Sequence, residues 1–488
     1  MRSILILLLI SSLTLLNAQD YEPEWNSLDK RPVPGWFSDA KFGIFIHWGL
    51  YSVPAYRPFN EDEDGNLKKE GSYAEWYVPD VMYSPLKNDH WHAETYGKDF
   101  SYFDFLPMFR AELFDPAEWA GLFKEAGARY VILTAKHCEG FSMWPSEEKY
   151  ASGWNVGEAG PKRDLLGELS AAVRAKGLKM GYYYAFMEYW TTETDSWPQN
   201  EAERTGYYVP YEVWQEHHIP QDEYVERLHF QVKELIDIYK PDILWTDAEW
   251  DYTEEEIRSR ELLAWIYNNA PNKESIVVND RWARGTRGKH GGYYTTEYGH
   301  GSENIKPGHP WEECRGIGYS FGYNRAEQLE DYKTSKELIE LLVKTVSDGG
   351  NLLLNVGPRA DGTIPLIMQQ RLKEIGTWME KNGEAIYGTD PWIPQLPIKT
   401  VNPKAGDDIL FTQKGEDLYV FLLNWNIDAL SLKEVGVQKD ATAYHLGSNQ
   451  ELDIKVRKGG VVFKELPHNR EEPVTVLRIE GAWAGDEK

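Results

Sequence analysis

The stretch DEYVERLHFQVKELIDIYKPDILWTDAEW, residues 222–250, shows the unit from which the chain is built. Residues 222–239 carry apolar side chains at helical spacing, and the run Ile-Leu-Trp at 243–245 has the character of a short buried strand. That run ends in two carboxylates, Asp247 and Glu249, with one small residue between them. The stretch therefore predicts a helix followed by a strand whose carboxyl end carries acidic groups.

The same alternation of helices and short apolar runs extends along the chain from Phe42 onward. Strand-like runs lie at 42–49, 129–137, 178–186, 275–281, 291–298 and 351–358, and helix-like stretches at 115–128, 164–177, 260–270, 335–350 and 369–383. Apolar strands separated by helices are typical of parallel βα units, and the strand count approaches eight. We therefore predict an α/β fold with a (β/α)8-type barrel over residues 19–393.

The composition changes after this region. Residues 409–425, 459–466 and 472–481 have the alternating or β-rich character of strands, and no helical period is visible there. We predict a C-terminal antiparallel β-sandwich domain over residues 394–488, and we expect it to pack against the barrel.

The N-terminus has the features of a secretory signal. Arg2 precedes an apolar run from Ile4 to about Leu16, which is followed by a small residue at Ala18. We predict a signal peptide over residues 1–18 and an exported protein, periplasmic or secreted. The apolar run is shorter than the ~20 residues that span a bilayer, and no other segment has that length, so we expect no membrane span.

Composition limits the classes of partner. A formal net charge of −26 disfavours binding to nucleic acid, which requires clustered Lys and Arg. Twenty tryptophans and thirty tyrosines fit either a large aromatic core or flat platforms for sugar rings, and composition leaves both open. With only Cys138 and Cys314, an exported chain is held together by its core and not by a disulfide framework.

Titratable residues collect at the predicted carboxyl ends of the strands. In a barrel these ends form one mouth, where catalytic groups lie. The groups concerned are His47, Trp48, Lys136, His137, Cys138, Glu139, Tyr183, Tyr184, Trp245, Asp247, Glu249, Asn279, Asp280, Arg281 and Glu297. Because buried charge is costly, this gathering indicates an active site. A set of structural ion pairs around Arg281 is the alternative.

Metal and thiol chemistry are both disfavoured. Adjacent strand residues point to opposite faces, so His137, Cys138 and Glu139 should not converge on one ion, and a Cys–His nucleophile pair is disfavoured on the same ground. His47 and His137 could share a metal, but no further His-rich or Cys-rich spacing supports this. We expect no metal and no cofactor.

Paired acids among aromatic residues suit glycoside cleavage. One carboxylate attacks or stabilises the anomeric carbon, and the other protonates the leaving oxygen. Asp247 and Glu249, two residues apart, are expected on the same strand face. They are either the catalytic pair, or Glu249 is a helper further up the mouth. Sequence spacing does not decide between these possibilities.

Nine motifs follow one another along the chain, in the order WFSDAKFGIFIHWGLYSVPAY, EWY, YVILTAKHCEGFSMWPS, GPKRDLLGEL, ILWTDAEW, VVNDRW, GGYYTTEY, RGIGYSFGYN and GGNLLLNVGPRADGTIP. Together they resemble glycoside hydrolase family 29, the retaining α-L-fucosidases. The resemblance implies an exo-acting enzyme that hydrolyses terminal α-L-fucosides through a covalent glycosyl-aspartate. It makes Asp247 the nucleophile and Glu297 the acid/base, with the two carboxyl groups ~5–5.5 Å apart.

The resemblance also implies which residues surround the sugar. His47 and His137 would bind the axial hydroxyl, and Glu75 and Trp76 the neighbouring one. Trp245 and Phe321 would line the site of the C5 methyl group, and Tyr183, Arg281 and Cys138 would complete the site. The implied partner is an oligosaccharide or polysaccharide with terminal α-L-fucose or a related L-sugar.

Cys138 is a departure from the family pattern. Many members read Lys-His-His where this chain reads Lys136-His137-Cys138, and a thiol is a small, weak donor. The loss of a ring could admit L-galactose, which is fucose with a hydroxyl on C6. The alternatives are therefore an α-L-galactosidase or a linkage-specialised glycosidase on the same scaffold, or a carbohydrate-binding protein that has lost catalysis.

Overall fold

The computed structural model describes residues 20–61, 67–83, 90–190, 208–392, 399–400, 409–423, 430–433, 435–457, 460–467 and 472–483. Its largest sheet has eight strands, which are β1 Phe42–Ile46, β2 Tyr130–Lys136, β3 Lys179–Ala185, β4 Ile243–Asp247, β5 Val277–Val278, β6 Tyr294–Glu297, β7 Trp311–Gly316 and β8 Asn351–Val356. Neighbours are parallel, in the order β5-β4-β3-β2-β1-β8-β7-β6. The predicted (β/α)8-type fold is confirmed.

The barrel is interrupted between β5 and β6, which share no ladder in the part of the chain that the structure describes. Backbone bonds from Gly292 N to Asn279 O (3.0 Å) and from Tyr293 N to Val278 O (3.1 Å) join the two edges instead. The Asp280 carboxylate adds a side-chain link, because its Oδ1 accepts from Thr295 N at 3.2 Å. The sheet is therefore curled almost into a closed barrel, with a seam between these two strands.

Helices follow most of the strands. They are α1 Trp25–Leu28, α2 Gly35–Ala40, α3 Trp91–Tyr96, α4 Pro116–Glu125, α5 Leu165–Ala175, α6 Tyr211–His217, α7 Gln221–Tyr239, α8 Ser259–Asn269, α9 Ser335–Ser347 and α10 Leu366–Asn382. Each of the six helical stretches read from the sequence is found, with ends shifted by a few residues. Helix α7 ends where Lys240 adopts a left-handed φ of 50°, which turns the chain into β4.

Strand β7 is not among the runs read from the sequence. Its residues, WEECRG, contain two consecutive glutamates, so no apolar run marks it. Both Glu312 and Glu313 are nevertheless buried. Glu312 accepts hydrogen bonds from the hydroxyls of Tyr130 (2.5 Å) and Tyr293 (3.1 Å) and from Trp245 Nε1 (2.9 Å), which compensates its desolvation.

The C-terminal region is an antiparallel β-sandwich. Its strands are β9 Asp390–Pro391, β10 Lys399–Thr400, β11 Ile409–Lys414, β12 Asp417–Leu422, β13 Leu430–Lys433, β14 Gly436–Val437, β15 Ala443–His445, β16 Gln450–Glu451, β17 Ile454–Arg457, β18 Gly460–Phe463, β19 Thr475–Glu480 and β20 Ala482–Trp483. A six-stranded sheet, β9-β11-β12-β19-β15-β16, faces a four-stranded sheet, β10-β13-β18-β17, across a common apolar core. The predicted C-terminal β domain is confirmed.

This β domain packs against the barrel helices. Trp378 Nε1 donates to Val474 O at 2.8 Å, and Thr412 Oγ1 donates to Ala385 O at 2.8 Å. Phe421 belongs to the same buried cluster as the barrel core. The predicted boundary between residues 393 and 394 lies outside the described residues, as does the predicted signal peptide at 1–18. No helix of the described residues is both long and apolar enough to span a bilayer.

Candidate active site

A cavity of about 550 Å³ opens at the carboxyl ends of the barrel strands. The structure places all eleven residues predicted for the site in its wall, namely Asp247, Glu297, His47, Glu75, Trp76, His137, Cys138, Tyr183, Trp245, Arg281 and Phe321. The wall also contains Phe45, Tyr73, Glu249, Trp250, Arg284, Gly285, Arg287 and Cys314. The volume is that of a small-molecule site. The individual roles of these residues stay predictions.

The two predicted catalytic carboxylates share one guanidinium. Asp247 ends β4 and Glu297 ends β6. Arg281 Nη1 lies 2.6 Å from Asp247 Oδ1 and 3.3 Å from Glu297 Oε2. Because both oxygens contact the same nitrogen, they are at most about 5.9 Å apart, the two contact distances end to end. The closeness of this oxygen pair is compatible with the retaining separation of ~5–5.5 Å between two carboxyl groups.

Arg281 is itself rigidly held. Its Nε donates to Thr295 Oγ1 at 2.9 Å, and its guanidinium lies 4.3 Å from the centre of the Trp245 ring. The indole of Trp245 is fixed in turn by its bond to Glu312 on β7. The side chain of Arg281 is 1% exposed, so this packing fixes the position of the bridge between the two carboxylates.

The surroundings of Asp247 favour the ionised form. Burial by itself raises the pKa of this carboxyl, but the charges of Arg281 and Arg287 and a hydrogen bond from Tyr183 outweigh burial and hold the pKa below its ordinary value. Tyr183 donates its hydroxyl to Asp247 Oδ2 at 3.0 Å, and Arg287 Nη2 lies 3.4 Å from Oδ1. An ionised carboxylate is the form that a nucleophile needs.

Each of the two carboxylates is followed by a residue with a left-handed backbone conformation. Ala248 has φ 57° and Tyr298 has φ 50°, which are left-handed conformations that non-glycine residues adopt at a cost. After Glu297 the chain makes a tight turn, in which Glu297 N donates to His300 O at 3.1 Å and His300 N donates to Glu297 O at 2.9 Å. Glu297 Oε1 also accepts from the Tyr73 hydroxyl at 3.3 Å.

Glu249 does not share a strand face with Asp247, so that geometric assumption is wrong. The strand ends at Asp247, and the left-handed φ of Ala248 redirects the chain. Glu249 still reaches the cavity wall, where Arg287 binds it through Nε–Oε1 (2.5 Å) and Nη2–Oε2 (3.2 Å). This ion pair engages both oxygens of Glu249, which favours the helper role over membership of the catalytic pair.

His47 is presented as a neutral acceptor. Burial lowers its pKa to about 4, and its Nδ1 lies 2.8 Å from Asn355 Oδ1. Asn355 Nδ2 donates to Phe321 O at 2.6 Å, which fixes the amide so that Oδ1 faces the imidazole. Nδ1 therefore carries the proton, and Nε2 is left as an acceptor.

Three further predicted residues lie near His47 in the cavity wall. Burial, together with the adjacent His47, lowers the pKa of His137 to about 3, and its ring stacks on Tyr183 with centroids 5.3 Å apart. Burial raises the pKa of Glu75 to about 8, and its Oε2 accepts from Gly322 N at 2.8 Å. At neutral pH the His137 imidazole and the Glu75 carboxyl are therefore uncharged, which suits recognition of a neutral polar ligand.

The expectation that His137 and Cys138 diverge is wrong. Strand β2 ends at Lys136, so strand alternation no longer applies, and both residues line the cavity. Cys138 is buried with a free thiol, as is Cys314, the other cysteine in the wall. Among the residues the structure describes, no group of three or more His, Cys, Asp or Glu is arranged to hold a metal ion.

The sequence reading missed Tyr73 and Arg287, which contact the predicted acid/base and nucleophile. Tyr73 lies two residues before Glu75 in SYAEWY, and Arg287 follows the VVNDRW motif by five residues. Proximity to these motifs is the only signal that could have pointed to them. Both lie in irregular segments, where the direction of a side chain depends on the tertiary fold.

A carboxylate pair on separate barrel strands, close together in a cavity rich in aromatic and neutral polar groups, defines the site of a retaining glycoside hydrolase. The family model described as alpha-L-fucosidase matches residues 8–384. The chain belongs to the alpha-L-fucosidase family.

Relatives and solved structures agree with this assignment. The chain is 40% identical over 405 residues to an alpha-L-fucosidase of Dictyostelium discoideum, covering 80% of this chain and 79% of the relative. It is 36% identical over 476 residues to the tissue alpha-L-fucosidase of Homo sapiens, covering 95% and 91%. An alpha-fucosidase of Thermotoga maritima in complex with a mechanism-based inhibitor superposes with a TM-score of 0.76 at 37% identity, covering 94% and 100%.

Proposed function

We propose that this chain is an exo-acting, retaining α-L-fucosidase that removes terminal α-L-fucose from oligosaccharides or polysaccharides. The observation that carries the proposal is the shared contact of Asp247 and Glu297 with Arg281 inside one cavity. Membership of the alpha-L-fucosidase family indicates the sugar that is cleaved, and the geometry of the two carboxylates indicates the type of reaction. No cofactor enters the proposed mechanism.

In the first step Asp247 attacks the anomeric carbon. Arg281 and Tyr183 each hold one of its oxygens, which orients the carboxylate. Glu297 donates a proton to the glycosidic oxygen, so the bond between that oxygen and C1 breaks as the bond to Asp247 forms. The product is a covalent fucosyl-aspartate and a free alcohol.

In the second step Glu297 acts as a base. It takes a proton from water, whose oxygen attacks C1 and displaces Asp247. Two displacements at C1 retain the anomeric configuration. Through its hydroxyl, Tyr73 keeps the Glu297 carboxyl oriented in both steps.

The remaining wall residues bind the fucosyl ring in this proposal. His47 and His137 take the axial hydroxyl, and Glu75 and Trp76 take the neighbouring one. Trp245 and Phe321 provide apolar surface for the C5 methyl group. The neutral state of the two imidazoles supports this assignment, because each can accept a hydrogen bond from a hydroxyl.

The test is the stereochemistry of the first product. Proton NMR of an aryl α-L-fucoside hydrolysed by the enzyme should show α-L-fucose before mutarotation. A 2-fluoro-fucosyl donor should leave its label on Asp247. Fragmentation of the labelled peptide distinguishes Asp247 from Glu249, two residues away. Release of β-L-fucose first, or a label on Glu249, would contradict the mechanism.

Cys138 supports a second candidate substrate. It lines the cavity with a small thiol, which leaves space for the C6 hydroxyl of an α-L-galactoside or for a preferred linkage. A protein that only binds carbohydrate is disfavoured, because both catalytic carboxylates are present and held together. Aryl α-L-fucoside and aryl α-L-galactoside, assayed side by side, distinguish the three functions.

We further propose export of the chain, to the periplasm or the medium, after removal of residues 1–18. Tyr21 N donates to Asn268 Oδ1 and Asn268 Nδ2 donates to Tyr21 O, each at 2.8 Å. Cleavage after Ala18 would leave this anchor intact. N-terminal sequencing of protein from the fractionated native cell should begin at Gln19, and an intact Met1 in the cytoplasm would contradict export.

A further inference from the structure

A second, smaller cavity adjoins the active-site cavity. It has a volume of about 280 Å³ and is lined by Arg287, Gly288, Tyr294, Thr295, Glu297, His300, Gly301 and Asn304. We call it the side cavity. It shares Arg287 and Glu297 with the active-site cavity. The predicted acid/base therefore lies in the walls of both.

The position of Glu297 between the two cavities bears on where the leaving group of the substrate binds. Glu297 has to reach the glycosidic oxygen, which joins the fucosyl ring to the group that leaves. With the fucosyl ring in the active-site cavity, the leaving group begins at Glu297. The side cavity begins at the same carboxylate. We propose that the side cavity binds the sugar unit to which fucose is attached, an inference that rests on the proposed fucosidase function.

The charge of the lining selects a neutral sugar. Two of the residues that line the side cavity, Arg287 and Glu297, carry a formal charge, and His300 is titratable. Arg287 is already paired with Glu249 and Asp247, and Glu297 contacts Arg281. The remaining polar groups include an amide on Asn304 and an imidazole on His300, both on exposed residues. Such groups match the hydroxyls of an uncharged pyranose.

The walls of the side cavity are fixed before any ligand arrives. One wall carries His300, at the end of the tight turn that begins at Glu297. The other contains Gly288, whose N donates to Asp280 Oδ2 at 2.7 Å. A Cβ added to Gly288 would lie 2.3 Å from Asn304 Cβ, so the two walls approach each other closely at this point. A preformed subsite of this kind loses little conformational entropy on binding.

The test compares two substrates in two variants. His300→Ala and Asn304→Ala should each lower kcat/KM on neutral fucosyl disaccharides about 5- to 10-fold more than on 4-nitrophenyl α-L-fucoside, the effect of about one lost hydrogen bond. Disaccharides of several linkages are assayed, because the cavity will favour one of them. Asn269→Ala, at the end of α8 and in neither cavity wall, is the matched control and should leave the ratio of the two activities unchanged.

The outcomes distinguish failure of the subsite proposal from failure of the proposed fucosidase function. If the wild type hydrolyses both substrates and neither variant changes their ratio, the side cavity is not the subsite, while the fucosidase function stands. If the wild type hydrolyses neither substrate, the proposed function itself fails, and this inference with it. A sulfated disaccharide that responds more strongly than its neutral counterpart would overturn the neutral assignment.

Discussion

Arg287 and Glu249 form an ion pair with two hydrogen bonds at the rim of the active-site cavity, and the same guanidinium reaches Asp247 Oδ1 at 3.4 Å. Arg287 therefore supplies part of the positive charge that holds the pKa of Asp247 below its ordinary value. The side chain of Arg287 is partly exposed, whereas that of Arg281 is buried. Substitution of Arg287 should therefore disturb the protein core less than substitution of Arg281.

We expect Arg287→Met to move the acid limb of the kcat/KM profile to higher pH. A nucleophile with a depressed pKa stays ionised until the pH falls through that value, so a raised pKa brings the loss of activity at a higher pH. The measurement is the pH–rate profile on an aryl α-L-fucoside. Arg284→Met removes a neighbouring arginine whose ion pair is with Glu256, and it should leave the acid limb in place. Equal shifts in both variants would contradict the assignment.

Asp247→Gly should reduce turnover of an aryl α-L-fucoside by roughly 10⁴-fold or more, because the covalent step is lost. Added azide should restore turnover and yield a fucosyl azide of inverted configuration, which a merely structural defect would not allow. Glu249→Gln tests the neighbouring carboxylate and should retain far more activity than Asp247→Gly. Near wild-type rates for Asp247→Gly, or the deeper loss in Glu249→Gln, would reverse the assignment.

The buried Glu139 should make stability depend on pH. Burial raises its pKa to about 8, whereas an unfolded glutamate titrates near ~4.3. Between these values the unfolded chain has released its proton and the folded state has kept it. The free energy of unfolding should therefore fall as the pH rises through this window.

Glu139→Gln should reduce this slope, and part of the slope should remain because burial raises the pKa of Glu75 to about 8 as well. The measurement is the urea midpoint at several values between pH 5 and 8 for the wild type and the variant. Glu125→Gln, at the exposed end of α4, is the matched control. A slope that is the same in all three proteins would show that Glu139 is not its source.

Lys240→Gly should stabilise the fold by about 0.5–1 kcal/mol. Lys240 is exposed and ends α7 with φ 50°, a conformation that glycine adopts without the Cβ penalty. Lys233→Gly, within the same helix, should cost about 1 kcal/mol, since glycine is unfavourable in a helix interior. Chemical denaturation measures both, and a destabilised Lys240→Gly protein would contradict the argument.

Cys138→His should lower the activity on an α-L-galactoside relative to an α-L-fucoside. The imidazole fills the space next to His137 that the thiol leaves open, and a C6 hydroxyl would have to compete with it. The ratio of kcat/KM values for the two aryl glycosides is the readout. Cys314→Ala changes the other cysteine of the cavity wall and should not alter this ratio. An unchanged ratio in Cys138→His would remove the argument for the galactoside.

The fold was largely predictable, because seven of the eight barrel strands are apolar runs that alternate with amphipathic helices. Strand β7 escaped detection because its core-facing Glu312 is polar, and three distant side chains provide its hydrogen bonds. The local sequence around Glu312 does not indicate which side chains on other strands will bond to it. That this charged residue is buried can be recognised only from the folded structure.

The candidate site divides in the same way. Residues at strand ends, such as Asp247 and Glu297, were found because the barrel brings strand ends together. Errors arose one or two residues later, where strand alternation was extended past the end of the strand. Ala248 takes a left-handed φ that its side chain does not favour, so the turn is imposed by the surroundings. Arg287 reaches the cavity from a loop, and its direction depends on the same surroundings.

The seam between β5 and β6 has a consequence for heat inactivation. It runs between the proposed nucleophile Asp247 on β4 and the proposed acid/base Glu297 on β6. Two loop amides and the side chains of Asp280 and Arg281 hold it instead of a ladder. Such a joint opens at lower cost than a paired strand edge. Warming should therefore separate the two carboxylates while the rest of the barrel is still folded. We expect activity to be lost at a temperature several degrees below the midpoint of the calorimetric unfolding transition.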